Sequence, residues 1–304
     1  MNLSKRHLAL LALTAASIIW GAAIPIFKWS MQEIPPYTLA FLRFFLAAIF
    51  ILPFVYKKIA IKKSDIVRML FLGSIGITLH IALFFVGLQL TTSINVPIII
   101  AATPIFLILG SVWFLHEKIK KKVVFGTILS LIGIIIIIIE PLLVSGPGGS
   151  IAGNLLVFLS ILCVVVYTLL LKKFDLPYPA LTIVFWTFFL GSLLFVPSFI
   201  AEVFFLNPFS HMDGKSLIGI FYGAIFSSAL GYFFYNFGLE YITASEIGIF
   251  TYIEPIVTVL VALPLLGEKI NSIYIIGSIV VFIGIFIAEA HLHYHHHHRL
   301  LSKK

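Results

Sequence analysis

Charge is what this sequence has least of. Asp, Glu, Lys and Arg make up 11% of its 304 residues, against about a quarter in a soluble domain. With 12 acidic and 20 basic side chains, a domain of this length cannot cover itself against water, so a soluble globular protein is excluded. The hydrophobic share is 61% and the mean hydropathy +1.14, which makes lipid the solvent for most of the surface. Cysteine is nearly absent as well. Cys163 stands alone in an apolar run, which rules out a disulfide framework, a CxxC motif and a cysteine metal pair.

Several motifs are also missing. No GxxxxGK[ST] loop exists to hold ATP, His116-Glu117 lacks the second histidine of HExxH, and no Asp-rich metal motif appears. ATP-driven pumping is therefore excluded, and a membrane-embedded enzyme acting on lipid or isoprenoid substrates is the runner-up reading rather than the first. The net charge of +8 does not indicate nucleic acid, because the basic residues sit in short clusters between apolar runs instead of on one solvated face. No cofactor and no metal is called for. The expected partners are a small-molecule substrate and the lipid bilayer, with a homodimer open.

What is present is a series of apolar segments, each near the roughly 20 residues needed to cross about 30 Å of hydrocarbon. Ten are expected: Leu8 to Phe27, Thr38 to Val55, Met69 to Leu88, Ile94 to Leu115, Val123 to Ile139, Ile151 to Leu171, Ala180 to Ala201, Leu217 to Leu239, Ile247 to Leu266 and Ile273 to Ala288. The first is too long for the usual h-region of about 7 to 15 residues and reads as an uncleaved helix. With an internal amino terminus, ten spans place 16 of the 20 Lys and Arg on the cytoplasmic side. Lys28, Lys215 and Lys269 fall outside, and Arg43 falls within a span.

At one ungapped offset of 151, Gly87, Leu88, Thr92, Pro104, Glu117, Lys118, Ile119, Gly126 and Gly133 recur as Gly238, Leu239, Thr243, Pro255, Glu268, Lys269, Ile270, Gly277 and Gly284. Five spans is an odd number, so the second copy enters the membrane from the opposite side. The expected architecture is all-α and integral to the membrane, with ten helices as two inverted five-helix repeats. Their bounds are 1–144 and 145–290, followed by a His-rich cytoplasmic tail at 291–304. Inverted repeats give carriers two near-equivalent conformations about a central site.

These segments resemble the EamA-like family of the drug/metabolite transporter superfamily. The resemblance rests on Trp20-Gly21 followed by Lys28, Arg43 within Leu39 to Pro53, Glu254-Pro255, and Leu266-Gly267-Glu268 echoed by Leu115-His116-Glu117. It covers about Leu8 to Glu289 and implies ten helices, both termini in the cytoplasm, and movement of metabolites, amino acids or drugs, often outward. A plasma-membrane location follows for a prokaryotic source. One departure is that the first-half counterpart of Glu254 is Thr103.

Glu254 leads the candidate substrate pathway, since a carboxyl expected near the middle of a span is costly unless it faces protein or water. It either binds a cationic group or proton, or serves as a structural carboxyl bonded to a neighbouring helix. Pro104 and Pro255 are expected helix breaks, and Pro255 would displace the carbonyl of Thr251. Arg43 lies about a turn from the external end of its span. That depth favours outward snorkelling and a structural or gating role over holding a substrate carboxylate.

His80 is either a proton shuttle or a satisfied neutral partner, and Tyr232 and Asn236 share a helix face. Trp20 and Tyr167 offer aromatic faces to a substrate or to packing. Asn95 and Glu246 read as helix caps. Gly126 with Gly133, and Gly277 with Gly284, are expected to permit a tight helix pairing or a dimer face. His291, His293 and His295 to His298 read as a solvated tail that binds transition metals incidentally.

Overall fold

The computed structural model describes residues 3–115, 121–145, 151–210, 212–241, 250 and 252–301. Glu117, Lys118, Ile119, Thr243, Glu246 and most of the Gly-rich joint at 145–153 lie outside the described residues, as do the side chains of the His-rich tail. Every regular element among the described residues is helical. Helix α1 is Leu3–Ser30, α2 Pro36–Val55, α3 Lys63–Leu90, α4 Asn95–Ile100, α5 Thr103–Leu115 and α6 Lys121–Ser145. Helix α7 is Ile151–Phe174, α8 Ala180–Leu194, α9 Val196–Leu206, α10 214–241, α11 Ile253–Leu266 and α12 Ser272–Leu301.

Helices fall on all ten expected segments, but they are not ten continuous spans. Six are long and apolar enough to cross a membrane, and the pair α8 and α9, bent by 43°, raises the number to seven. Three apolar stretches are shorter: Asn95–Leu107, Ile253–Leu266 and Ser272–Ile287. The fourth segment is broken by a turn at Ala101-Ala102, after which α5 restarts at Thr103-Pro104. Proline is tolerated there because a first-turn N–H needs no partner.

Two helices carry a stretch of π-helix, at Ser74–Leu79 in α3 and at Tyr222–Leu230 in α10. Hydropathy cannot reveal such a turn, because most residues around it are apolar or small. π-turns recur at functional sites because they rotate the side chains that follow.

Packing is reciprocal. α1 lies along α11 and α10, while α7 lies along α5 and α3; α2 pairs with α8, and α6 with α12. A shared aromatic core includes Phe44, Phe85 and Phe188, with Phe44 edge-on to Phe188 at 5.0 Å. Lipid offers helices no hydrophobic drive to associate, so close contact through small residues carries more of the load.

The α6–α12 pair shows this directly. A Cβ on Gly133 would stand 2.6 Å from the Val281 nitrogen and 2.9 Å from the Gly277 carbonyl oxygen, and one on Gly284 would meet Ser130 and the Gly126 carbonyl. Ser130 Oγ donates to the Val281 carbonyl at 3.1 Å. The four glycines thus face one another inside the chain, and that contact leaves none of their approach surface for a second copy. Gly133→Val should cost about 1–3 kcal/mol through overpacking. Gly214→Ala, where nothing lies within 4 Å, should not lower stability. Thermal unfolding of the two variants in detergent reads the contrast.

Candidate functional site

The substrate-pathway candidates gather around the π-turn of α10. Trp20 of α1 donates from Nε1 to the Ser227 carbonyl at 2.9 Å and lies against the rings of Tyr232, at 5.6 Å, and Tyr235, at 5.4 Å. Gly231 permits this, because a Cβ there would stand 2.7 Å from the indole nitrogen. Tyr232 is also edge-on to Phe188 at 5.1 Å. Tyr167 of α7 lies across Gly76 in the π-turn of α3.

Arg43 does not snorkel. Its side chain is 6% exposed, donating from Nε to Ser228 Oγ and from Nη2 to Ser227 Oγ, each at 3.1 Å. The guanidinium carbon stands 4.5 Å from the centre of the Phe27 ring and 4.6 Å from that of Phe44. Burial prevails over snorkelling because two hydroxyls and two ring faces receive the group inside the bundle.

Tyr232 and His80 lie within Coulombic reach of Arg43, and Tyr167 within reach of Tyr232. His80, Tyr167 and Tyr232 are each half-buried.

Glu254 is 9% exposed and sits in the first turn of α11, not in the middle of a continuous helix. Pro255 follows it in that same turn, where its missing N–H costs nothing. The helix dipole favours a carboxylate at this end. Close approach of α1 holds the turn, because a Cβ on Gly21 would stand 2.7 Å from the Glu254 carbonyl oxygen, and Thr258 Oγ1 donates to the Gly21 carbonyl at 2.7 Å. Tyr235 lies within Coulombic reach of Glu254. Trp20 and Gly21 therefore join α1 to α10 with one residue and to α11 with the next.

Three further candidates bond to backbone carbonyls. Thr103 Oγ1 donates to the Ile100 carbonyl at 2.6 Å, and Asn236 Nδ2 to the Tyr232 carbonyl at 2.7 Å, so both are engaged with their own backbone. His80 Nδ1 stands 3.0 Å from the Ser160 carbonyl. Asn95 is not a cap: its Nδ2 donates to Glu140 Oε2 at 3.1 Å, and no side chain of its own turn caps α4.

The cap comes from elsewhere. Gly267 ends α11 with a left-handed φ of 65°, which turns Glu268 toward the α3–α4 junction. Glu268 accepts from the Ser93 N–H at 2.7 Å, the Ile94 N–H at 3.1 Å and Ser93 Oγ at 2.9 Å. Lys28 joins it at 3.1 Å and also donates to the Thr91 carbonyl. Thr91 bonds Asn154, which donates to the Ile137 carbonyl at 2.8 Å, and Glu140 also receives Asn271. This polar band stitches α1, α4, α6, α7 and the α11–α12 junction together at one end of the bundle. Sequence reasoning placed Glu268 in a motif but missed its target 175 residues away.

A multi-pass helical membrane protein is the class that this apolar exterior and bundle define. The profile of the EamA-like transporter family matches residues 7–139 and again 151–289, and the chain belongs to that family. An uncharacterized transporter of Archaeoglobus fulgidus is 29% identical over 294 residues, spanning 95% of this chain and 99% of that protein. The uncharacterized transporter YyaM of Bacillus subtilis is 29% identical over 294 residues, spanning 93% and 94%. These relatives bear transporter names, not enzyme names. A solved crystal structure aligns with a TM-score of 0.64 at 15% identity over 93% of this chain and 97% of that chain, a likeness of fold.

Glu268→Ala would strand two backbone N–H groups and the Lys28 ammonium and should cost about 2–3 kcal/mol. Glu33→Ala, whose ion pair with Lys215 is 33% and 35% exposed, should change stability by less than about 0.5 kcal/mol. Paired thermal melts in detergent test the difference.

Proposed function

We propose that this protein is a secondary transporter, an exporter or exchanger, that moves small metabolites such as amino acids, amines or drugs by alternating access. The observation that carries this reading is the presence of two buried ionisable groups in one bundle: Arg43 within reach of His80 and Tyr232, and Glu254 at the turn packed by Gly21 beside Trp20, the surrounding residues coming from helices of both halves of the chain. Charges placed this deep in a membrane bundle are expensive and mark a solute path.

Ten spans in two inverted repeats, over 1–144 and 145–290, complete the proposal. The family profile matches the chain twice, which supports two copies of one unit. Reciprocal packing supports the same reading, with α1 lodged among second-half helices and α7 among first-half ones. The π-turns agree with it, because 74–79 shifted by the offset of 151 becomes 225–230, inside the second π-turn. Five helices per unit invert the second copy, and two such units exchange between outward and inward openings about a shared site. In this arrangement both termini and the His-rich tail are cytoplasmic, in the plasma membrane, and the polar band around Glu268 closes the external side. With no ATP-binding loop in the sequence, energy comes from a gradient or from exchange.

Purified protein in sealed proteoliposomes should show saturable uptake and counterflow of members of a labelled amino-acid and amine panel, measured with and without a pH gradient. Glu254→Gln should abolish that flux. Flux unchanged in the variant would remove Glu254 from the path.

Orientation has its own test in a Cys163→Ala background. A membrane-impermeant maleimide should label Lys269→Cys and spare Lys57→Cys in intact cells. The opposite pattern would invert the topology.

A further inference from the structure

The transport reading leaves the charge of Arg43 unanswered, and the following inference rests on that reading. We propose that Arg43 receives a carboxylate carried by the transported compound, so that carboxylate-bearing metabolites are substrates and the corresponding plain amines are not.

A guanidinium keeps its charge in nearly any protein setting, and burying it without a counter-charge is costly. Around Arg43 the protein supplies two neutral hydroxyls, Ser227 and Ser228, and the rings of Phe27, Phe44 and Phe85, the last at 5.9 Å. Hydroxyls and rings reduce the cost but do not neutralise the charge.

The described carboxylates that could do so are committed elsewhere. Asp65 pairs with Arg68 and accepts from Tyr178. Glu140 accepts from Asn95 and Asn271, and Glu268 holds Lys28 and the start of α4. Glu202 accepts from the Tyr37 and Thr38 N–H groups at the start of α2. Among the described residues no carboxylate, Glu254 included, forms an ion pair with Arg43.

A guanidinium has five N–H donors, and the two serines take one at Nε and one at Nη2. The Nη1 edge has no described partner and is not among the fully buried, unbonded polar atoms, so it keeps some accessible surface. A planar edge of this kind matches two carboxylate oxygens. No second Lys or Arg among the described residues shares the three rings around Arg43, and a single cation suits a monoanion better than a phosphate dianion.

The test uses the full chain in detergent. Binding of each standard amino acid, its decarboxylated amine, its deaminated acid and inorganic phosphate is measured by calorimetry. For at least one side chain, the compounds bearing a carboxylate should bind and the decarboxylated amine should bind at least about tenfold more weakly. Arg43→Gln should erase that preference, whereas Arg43→Lys, which keeps the charge but loses the fork, should retain part of it. A merely structural arginine would let both variants fail alike.

The assignment is overturned if the amines bind as well as their parents, if no carboxylate compound binds, if phosphate binds in their place, or if Arg43→Gln keeps the preference. Counterflow in proteoliposomes separates this from the carrier reading. Flux of an amine alone would keep the carrier and remove the carboxylate, while a carboxylate that binds but never crosses would do the reverse.

Discussion

A backbone in lipid has no water to bond, so every interruption of a helix inside this bundle must be satisfied by something the chain itself supplies. The rest of the structure follows from how that is done. At the α3–α4 junction the acceptor is Glu268, delivered from the far end of the chain by the left-handed turn at Gly267. At the start of α2 it is Glu202, reaching from α9 to the N–H groups of Tyr37 and Thr38. Carboxylates are scarce here, and at these two places they are used as caps. Glu254, by contrast, caps no described backbone group and lies at the turn that Gly21 approaches.

The same constraint divides what hydropathy reveals from what it conceals. All ten apolar segments coincide with helices, because apolarity over roughly 20 residues is what lipid requires of a span. The interruptions are invisible to such a scan. Ala101-Ala102 is as apolar as its neighbours, and only Pro104 marks the restart. The π-turns are hidden for a related reason: when every face is apolar, a change in helical period moves no polar stripe. Asn95 illustrates a different failure. Its position at a helix start suggests a cap, but Glu140, 45 residues on, competes for its amide and wins. Local rules can name a residue able to bond, whereas the fold decides which partner arrives.

The candidate site was legible as a set of residue types more than as a geometry. Trp20, Arg43, His80, Tyr167, Tyr232 and Glu254 are the polar or aromatic residues that an apolar span has least reason to contain, and most of them converge. Their arrangement was not legible. Ser227 and Ser228 are unremarkable in sequence, yet they receive both Arg43 and Trp20 because the π-turn presents two adjacent hydroxyls and a carbonyl to α1 and α2. Tyr235 escaped notice because nothing in its spacing links it to Trp20 across 215 residues.

These contacts differ in how readily they can be exchanged, and that difference bears on the proposed transport cycle. The α6–α12 contact is backbone against backbone through glycine, and separating it would open a void that nothing nearby can fill. The contacts of α1 are mixed: Gly21 brings its backbone against Glu254 of α11, while an indole against two tyrosines, one side-chain bond to a π-turn carbonyl and an ion pair in the Glu268 band are side-chain contacts. The π-turn of α10 carries Ser227 and Ser228 and is followed within two residues by Tyr232, so an adjustment of its backbone would move these side chains together. A two-state carrier needs one interface that stays and one whose parts can trade partners at small cost. In the proposed cycle α6 and α12 would be the fixed support, and the side-chain contacts at the π-turns of α3 and α10 the parts that trade partners.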